Sequence, residues 1–403
     1  MKKTTALLVA LFAAASAEWV PIGPDGGYIQ AYGIDVVHPD TVYSMIYSPG
    51  YMPPVYRTTD HGASWDRLGE IALDPPSSIV VDPFAPEVLL GPTGNNTLQR
   101  STDHGENWRL YDMPFYAVAV AFDPFVPGRV YAAGMYYDTL TLPAFAVSTD
   151  HGETWVGRLV KDDTGSIYAI DVSPLDSGTV FLAADYGTVF RSNDAGANWR
   201  ECTAGLSPDD IILTISASHG DPRVICAGSI YGMFRSTNSG DNWQPIGNTG
   251  FIMSVDLSAS DPAAGYAYGY DTAMACYYTT DAGLSWHPTA PIQPTSRMGG
   301  ILADPGLGRG AWCPTTAGMQ YTTDYGVTWA GRNSGIRSAS IATISAPVWN
   351  PGRAYVEVEN VGVFKTLDAG QTWQKCADFL SCGSVCGIGV APPDVLYALE
   401  GAG

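Results

Sequence analysis

The sequence predicts an all-β fold, a β-propeller of about eight to nine four-stranded blade units, on three observations. An octapeptide recurs eight times at a nearly constant interval, each interval holds four short strand-like runs, and no stretch sustains an apolar period of about 3.6 residues. The octapeptide is TTDHGASW at 58–65. It returns as STDHGENW (101–108), STDHGETW (148–155), SNDAGANW (192–199), STNSGDNW (236–243), TTDAGLSW (279–286), TTDYGVTW (322–329) and TLDAGQTW (366–373). Its Trp residues stand at 65, 108, 155, 199, 243, 286, 329 and 373, so one unit is 43 to 47 residues long. Trp19 lies 46 residues before Trp65 and marks the same phase with the octapeptide missing.

Each unit runs in the same order. After the Trp comes a short segment such as DRLG or RLYD, then a polar or Pro-rich loop. An apolar run follows, YGIDVVHP (32–39), YAVAVAFDP (116–124) or YAIDVSP (168–174), closed by a turn of Asp, Pro and Gly. A second run (TVYSMIY, RVYAAGMYY, TVFLAADYG, RVICAGSIYG) and a third (VYRTTD, TVFRSND, GMFRSTN) lead into the octapeptide. Four strands in about 44 residues is the size of a propeller blade rather than of a helical repeat. One such sheet cannot bury both of its faces, so the blades must stack round an axis.

Within the octapeptide the acidic residue can accept backbone N–H bonds, the Gly two positions on can take positive φ, and the Trp can fill the wedge between blades. The positions in question are Asp60, Asp103, Asp150, Asp194, Asn238, Asp281, Asp324 and Asp368. Asn238 still accepts a hydrogen bond but cannot act as a general base, so the recurring role is structural. His61, His104 and His151 share one position that Ala, Ser or Tyr fills elsewhere, and are expected to be exposed turn residues. Arg57, Arg100, Arg191 and Arg235, each just before an octapeptide, are likewise features of the repeat.

The pattern S/T-x-D-x-G-x-x-W resembles the Asp-box (BNR repeat) of sialidases, sortilin-like luminal domains, xyloglucanases and photosystem II assembly factors. The resemblance implies a propeller with the box between the third and fourth strands, away from the usual binding face. Activity does not carry over so directly. Sialidases need an arginine triad, a Tyr nucleophile with a Glu partner and an Arg-Ile-Pro motif in the first blade, which is absent. WVPIGPDGGYIQAYGIDVVHPDTVY (19–43) looks like the opening of the xyloglucanase-like enzymes, but Tyr47 stands where their catalytic Asp is due. Glycoside hydrolysis normally requires two carboxylates. The photosystem factors use a basic patch, which this acidic chain lacks, and no Cys-rich module of the sortilin kind follows the repeats. The expectation is a non-catalytic binding propeller, with a glycoside hydrolase of the xyloglucanase-like or sialidase-like type as the alternative and no catalytic residue assigned.

MKKTTALLVALFAAASA (1–17), with Lys2 and Lys3 before a short apolar run and a small-residue triplet, reads as a bacterial signal peptide. Export follows, to the periplasm, cell surface or medium, without membrane insertion. Without Lys2 and Lys3 the chain carries 18 basic and 40 acidic residues, a net charge of −22, which argues against nucleic acid. Seven cysteines permit disulfides but show no zinc-ribbon spacing, and no metal or cofactor is expected. Residues 18–403 are read as one propeller-like array; the alternative is a seven-bladed ring to about 329 and the start of a second.

A ligand, glycan or protein, is expected on the loops opposite the octapeptides, where the sequence departs from its own repeat. IYSPGYMPP (46–54) brings Tyr47 and Tyr51, GMYYDTLTLPAF (134–145) brings Tyr136, Tyr137 and Asp138, and YGYDTA (268–273) brings Tyr270 and Asp271. KDDTGS (161–166) and SPDD (207–210) add carboxylates. Tyrosines beside carboxylates can stack on a sugar ring or contact a protein partner.

Overall fold

The computed structural model describes residues 28–46, 53–71, 75–137, 140–247, 250–270, 274–292, 300–315, 318–334, 341–345, 353–358, 362–368, 372–377, 385–391 and 395–400. The signal peptide expected at 1–17 lies outside the described residues. The fold is all-β: among the described residues eight antiparallel four-stranded sheets follow one another, and a two-stranded pair comes after them. Blade one is Ile29–Ile34, Val42–Ile46, Pro54–Thr58 and Asp66–Glu70. Blades two to seven occupy 80–112, 116–159, 167–201, 212–245, 251–288 and 302–331, an eighth sheet spans 341–377, and the pair is Val385–Ala391 with Val395–Glu400.

The second strand of each blade carries the longest apolar run and is covered on both faces, as in Val180–Ala184 and Ile225–Ser229, where every residue is buried. Fourth strands such as Asp66–Glu70 and Arg200–Glu201 are short, polar and mostly exposed. Such short edge strands offer little backbone for pairing with another chain.

The core is divided among the blade junctions. Met45 and Val55 of blade one pack with Ile79 and Leu89, and Leu90 and Leu98 of blade two with Ala132 and Ala144. Tyr131 and Phe145 meet Leu182 and Phe190, and Phe181 and Val189 meet Ile215 and Ile225. Cys226 and Met233 meet Val255 and Ala267, then Tyr266 and Tyr268 meet Ile301 and Cys313. Trp312, Met319 and Tyr321 of blade seven finally pack on Ile34, Val42 and Tyr56 of blade one. Burying one such side chain is worth about 1.5–3 kcal/mol, so each junction is a small hydrophobic core in its own right.

The contact between blades seven and one reproduces those between consecutive blades. Trp243 of blade five donates its backbone N–H to Ala204 and its indole N–H to Cys202, five and three residues after Trp199 of the preceding blade. Trp65 of blade one donates in the same way to Ser334 and Arg332, five and three residues after Trp329. Blade seven thus precedes blade one in space as blade four precedes blade five.

Among the described residues Cys202, Cys226, Cys276, Cys313 and Cys376 form no disulfide, and no group of three or more His, Cys, Asp or Glu is placed to hold a metal ion. Among the described residues no helix is long and apolar enough to cross a membrane.

Candidate functional site

The two faces of the ring divide into a uniform one and a varied one. On the uniform face each octapeptide closes the third and fourth strands with one hydrogen-bond pattern. In the first copy Thr58 Oγ1 donates to Asp60 Oδ1 (2.7 Å) and accepts from Gly62 N (2.9 Å), Asp60 Oδ1 accepts from Ser64 N (2.8 Å), and Ser64 Oγ donates to Asp60 Oδ2 (2.6 Å). The pattern returns around Asp103, Asp150, Asp194, Asp281, Asp324 and Asp368, with the carboxyls of Asp60 and Asp194 held down to about 2, chiefly by the side chains of Ser64 and Asn198. Asn238 Oδ1 does the same work, accepting from Ser236 Oγ and Asn242 N at 2.9 Å. The residue before the Gly also has positive φ, 58° at His61 and at Ala195, which is why varied residues there share one backbone shape. A carboxylate that spends its acceptors on its own turn is unsuited to proton transfer.

The three histidines do not share one setting. His104 is exposed as expected, whereas His61 and His151 reach the neighbouring blade. His151 Nδ1 lies 2.6 Å from Asp82 Oδ2, at the end of the first strand of blade two. His61, with a quarter of its side chain exposed, places Nε2 2.7 Å from Asp304 Oδ2 of blade seven and Nδ1 3.0 Å from Asp40 Oδ1. Tyr321 donates to the same Asp304 oxygen at 2.5 Å. An imidazole with a carboxylate at each nitrogen donates from both only as the cation, and the bond to Asp304 raises its pKa against the opposing effect of burial. This cluster ties blades seven and one together and is no open reaction centre.

On the varied face a cavity of about 550 Å³ opens beside blade four, between its links to blades three and five. Its walls come from the loop at 161–166, the hairpin turn at 185–188 and the segment at 203–208, with Pro143, Phe190 and Leu206 supplying apolar surface. Lys161 Nζ bridges Glu201 Oε1 at 2.9 Å and Asp163 Oδ2 at 3.4 Å. Asp163 also accepts from Thr164 N at 2.8 Å, and that bond together with Lys161 lowers its pKa. Asp185 is half-buried; burial raises its pKa, partly offset by Ser166 N, which donates to both of its oxygens at 3.1 and 3.0 Å.

Tyr186, at the tip of the turn, has φ of 56°, and Gly187 follows with 58°. Among the described residues Tyr186 is the only non-glycine outside the octapeptides with positive φ, and it is 58% exposed. The bond from Thr188 N to Asp185 O closes the two-residue turn, a geometry that suits Asn-Gly and strains a bulky residue. A neighbouring loop fixes it: Gly187 N donates to Asp210 O at 2.8 Å, and Asp210 is anchored by Ser229 Oγ at 2.8 Å. A Cβ on Gly187 would lie 1.9 Å from Ser207 O, so the turn and the 207–210 loop fit together only with glycine there.

Of the residues singled out from sequence, Tyr47, Tyr51, Asp138 and Asp271 lie outside the described residues. Tyr137 is 64% exposed, edge-on to Tyr116 with ring centroids 5.2 Å apart. Tyr136 points the other way, packing on Phe115 at 5.6 Å against the junction of blades two and three, as alternation along a strand requires, and is partly buried there. Tyr270 is 48% exposed on blade six, whereas the cavity is built by blades three to five. The loops KDDTGS and SPDD border the same cavity, Asp163 lining it and Asp210 bracing the hairpin turn at Gly187. Tyr186 was missed, and its signal was a Tyr-Gly pair where a tight hairpin calls for Asn-Gly or Asp-Gly. Two further carboxylates, Asp171 and Asp256, are pushed up to about 7 by burial, but each accepts a backbone N–H of the next blade, from Ala217 at 2.6 Å and Ala303 at 2.8 Å, and serves as a strut.

No family model matches the chain, and no curated protein matches it in sequence. Among solved structures, YCF48 bound to D1 peptide aligns with a TM-score of 0.53 at 15% identity, over 77% of this chain and 98% of that one. U3-55K gives 0.53 at 10% identity, over 72% and 89%. An ancestral GH74 enzyme gives 0.50 at 16% identity over 96% of this chain, which spans only 60% of the length of that enzyme. At such identities the likeness concerns architecture: the chain has the fold of a β-propeller.

Proposed function

We propose that this chain is an exported, non-catalytic binding propeller whose ligand, a glycan or a protein, sits in the cavity walled by Tyr186. The observation that carries the reading is the backbone of Tyr186. Left-handed φ costs a side-chain-bearing residue about 1–2 kcal/mol, which Asn would reduce and Gly would abolish. The exposed ring gains little burial in return, and strain kept at the wall of a cavity favours use of that ring by a ligand. Export rests on the sequence of residues 1–17, and the octapeptides take the structural role of Asp-box turns. Residues 28–334 form the ring in this reading, with the following sheets opening a second array. A peptide-bound propeller among the structural neighbours is compatible with protein as the ligand class.

The test is Tyr186→Asn. Its thermal midpoint should rise while binding on a glycan array and a peptide array falls at least about tenfold, or 1.4 kcal/mol. Unchanged binding would sink the reading.

A glycoside hydrolase remains the second reading because Asp163 and Asp185 line one cavity with pKa values displaced in opposite directions, the condition that separates an acid from a base. Release of reducing ends from a polysaccharide, abolished by Asp185→Asn and by Asp163→Asn, would replace the binding reading with this one.

A further inference from the structure

Resting on the binding reading above, we propose that the cavity takes a cationic group, the guanidinium of an arginine side chain on a peptide partner. Three carboxylates and one ammonium line it, and that ammonium is already engaged: Lys161 bridges Glu201 and Asp163 at 2.9 and 3.4 Å. Asp185 is different. Its two oxygens accept from Ser166 N, with the Ser166 hydroxyl and its own N–H as further neutral donors, and no cation among the described residues pairs with it, although it is half-buried. A carboxylate offers about four acceptor sites, so Asp185 keeps acceptor capacity and an uncompensated charge beside the cavity. Tyr186 lines the cavity beside Asp185, and Tyr168 stands close enough for Asp185 to help burial raise its hydroxyl pKa.

A carboxylate beside aromatic faces is the setting a guanidinium fits, with its fork of donors on the oxygens and its plane stacked on a ring. Pro143, Phe190 and Leu206 can cover the methylene stem. A neutral sugar would leave the Asp185 charge uncompensated, and an anion would meet three carboxylates. The cavity, at about 550 Å³, also has room for the residues flanking one arginine. The formal net charge of −20 draws a cationic peptide towards the protein but does not choose the site.

The experiment uses the full chain, fluorescence anisotropy, and a dye-labelled glycine-flanked arginine peptide beside its citrulline counterpart, which keeps the shape and loses the charge. A neutral cello-oligosaccharide is the third probe. The arginine peptide should bind at least about tenfold more tightly than the citrulline peptide and lose about tenfold in Asp185→Asn. It should stay within about twofold in Asp176→Asn, a charge-matched change in an exposed turn on the opposite face. Equal losses in Asp176→Asn and Asp185→Asn would assign the attraction to overall charge and overturn the inference. Oligosaccharide binding that Tyr186→Asn removes, with the arginine peptide ignored, would overturn the cation and leave the binding reading standing. Probes indifferent to Tyr186→Asn would end both.

Discussion

The two faces of the ring use acidic residues in opposite ways. On the octapeptide face each Asp turns its oxygens inward onto its own turn, so the residue is spent on shape. On the loop face Asp185 keeps acceptor capacity and Tyr186 keeps an exposed ring on a strained backbone. Repetition therefore marks where the chain satisfies itself, and departure from repetition marks where it leaves groups free for something else.

The largest expected effect that bears on this contrast lies at the uniform face, where blades seven and one meet. Asp304→Ala strands both His61 and Tyr321 without their shared acceptor and should cost about 3 kcal/mol in urea unfolding. Asp82→Ala strands one side chain, His151, along with the N–H groups of Phe84 and Ala85, and should cost about 1 kcal/mol less. Equal losses would show that closing the ring draws no extra stability from the His61 cluster.

The same cluster should respond to pH. The folded pKa of His61 is raised, so its contribution is fully present below the unfolded value of 6.5 and is lost as pH rises through the folded value. Burial pushes the Asp304 carboxyl up, but the bonds from His61 and Tyr321 outweigh it and the net shift is down. Its contribution is present above the ordinary value of 3.8 and lost as pH falls through the lowered one. Stability from this junction is therefore greatest between those two ordinary values. A urea midpoint that declines above pH 6.5 in the parent and stays flatter in His61→Gln is the expected outcome; parallel profiles would remove His61 from the explanation.

Thr322→Ala removes one donor and one acceptor from a single turn, the bonds to Asp324 Oδ1 at 2.8 Å and from Gly326 N at 2.9 Å, and should cost about 1–2 kcal/mol. Asn238→Asp is the smallest and runs the other way. It restores the second carboxylate oxygen that Asn198 uses at Asp194 (2.7 Å), and calorimetry should show a gain of about 0.5 kcal/mol, limited by the nearby Asp241 and the acidic charge of the chain. A loss instead would mean that like-charge repulsion outweighs the hydrogen bond.

Much of the fold was legible because the signals are local. The Asp-x-Gly turn, the alternation of the strands and the 43 to 47 residue interval each act within one blade, so sequence reasoning reached the all-β propeller directly. His61 was misread for the complementary reason. Its position in the octapeptide is that of a turn residue, but Asp304, 243 residues away, makes it a clamp. Tyr136 and Tyr137 are adjacent in sequence and looked equivalent, yet the pleat sends one into a junction and the other to the rim.

By itself the sequence determined the blade, its turn and the chemistry of that turn, since those depend on residues a few positions apart. Only the tertiary structure decided which blades meet, because closure depends on whether Trp65 finds Arg332 and Ser334 across the ring. It also decided where three loops from different blades converge on Tyr186, since a cavity is made by spacing between blades and not by any one of them.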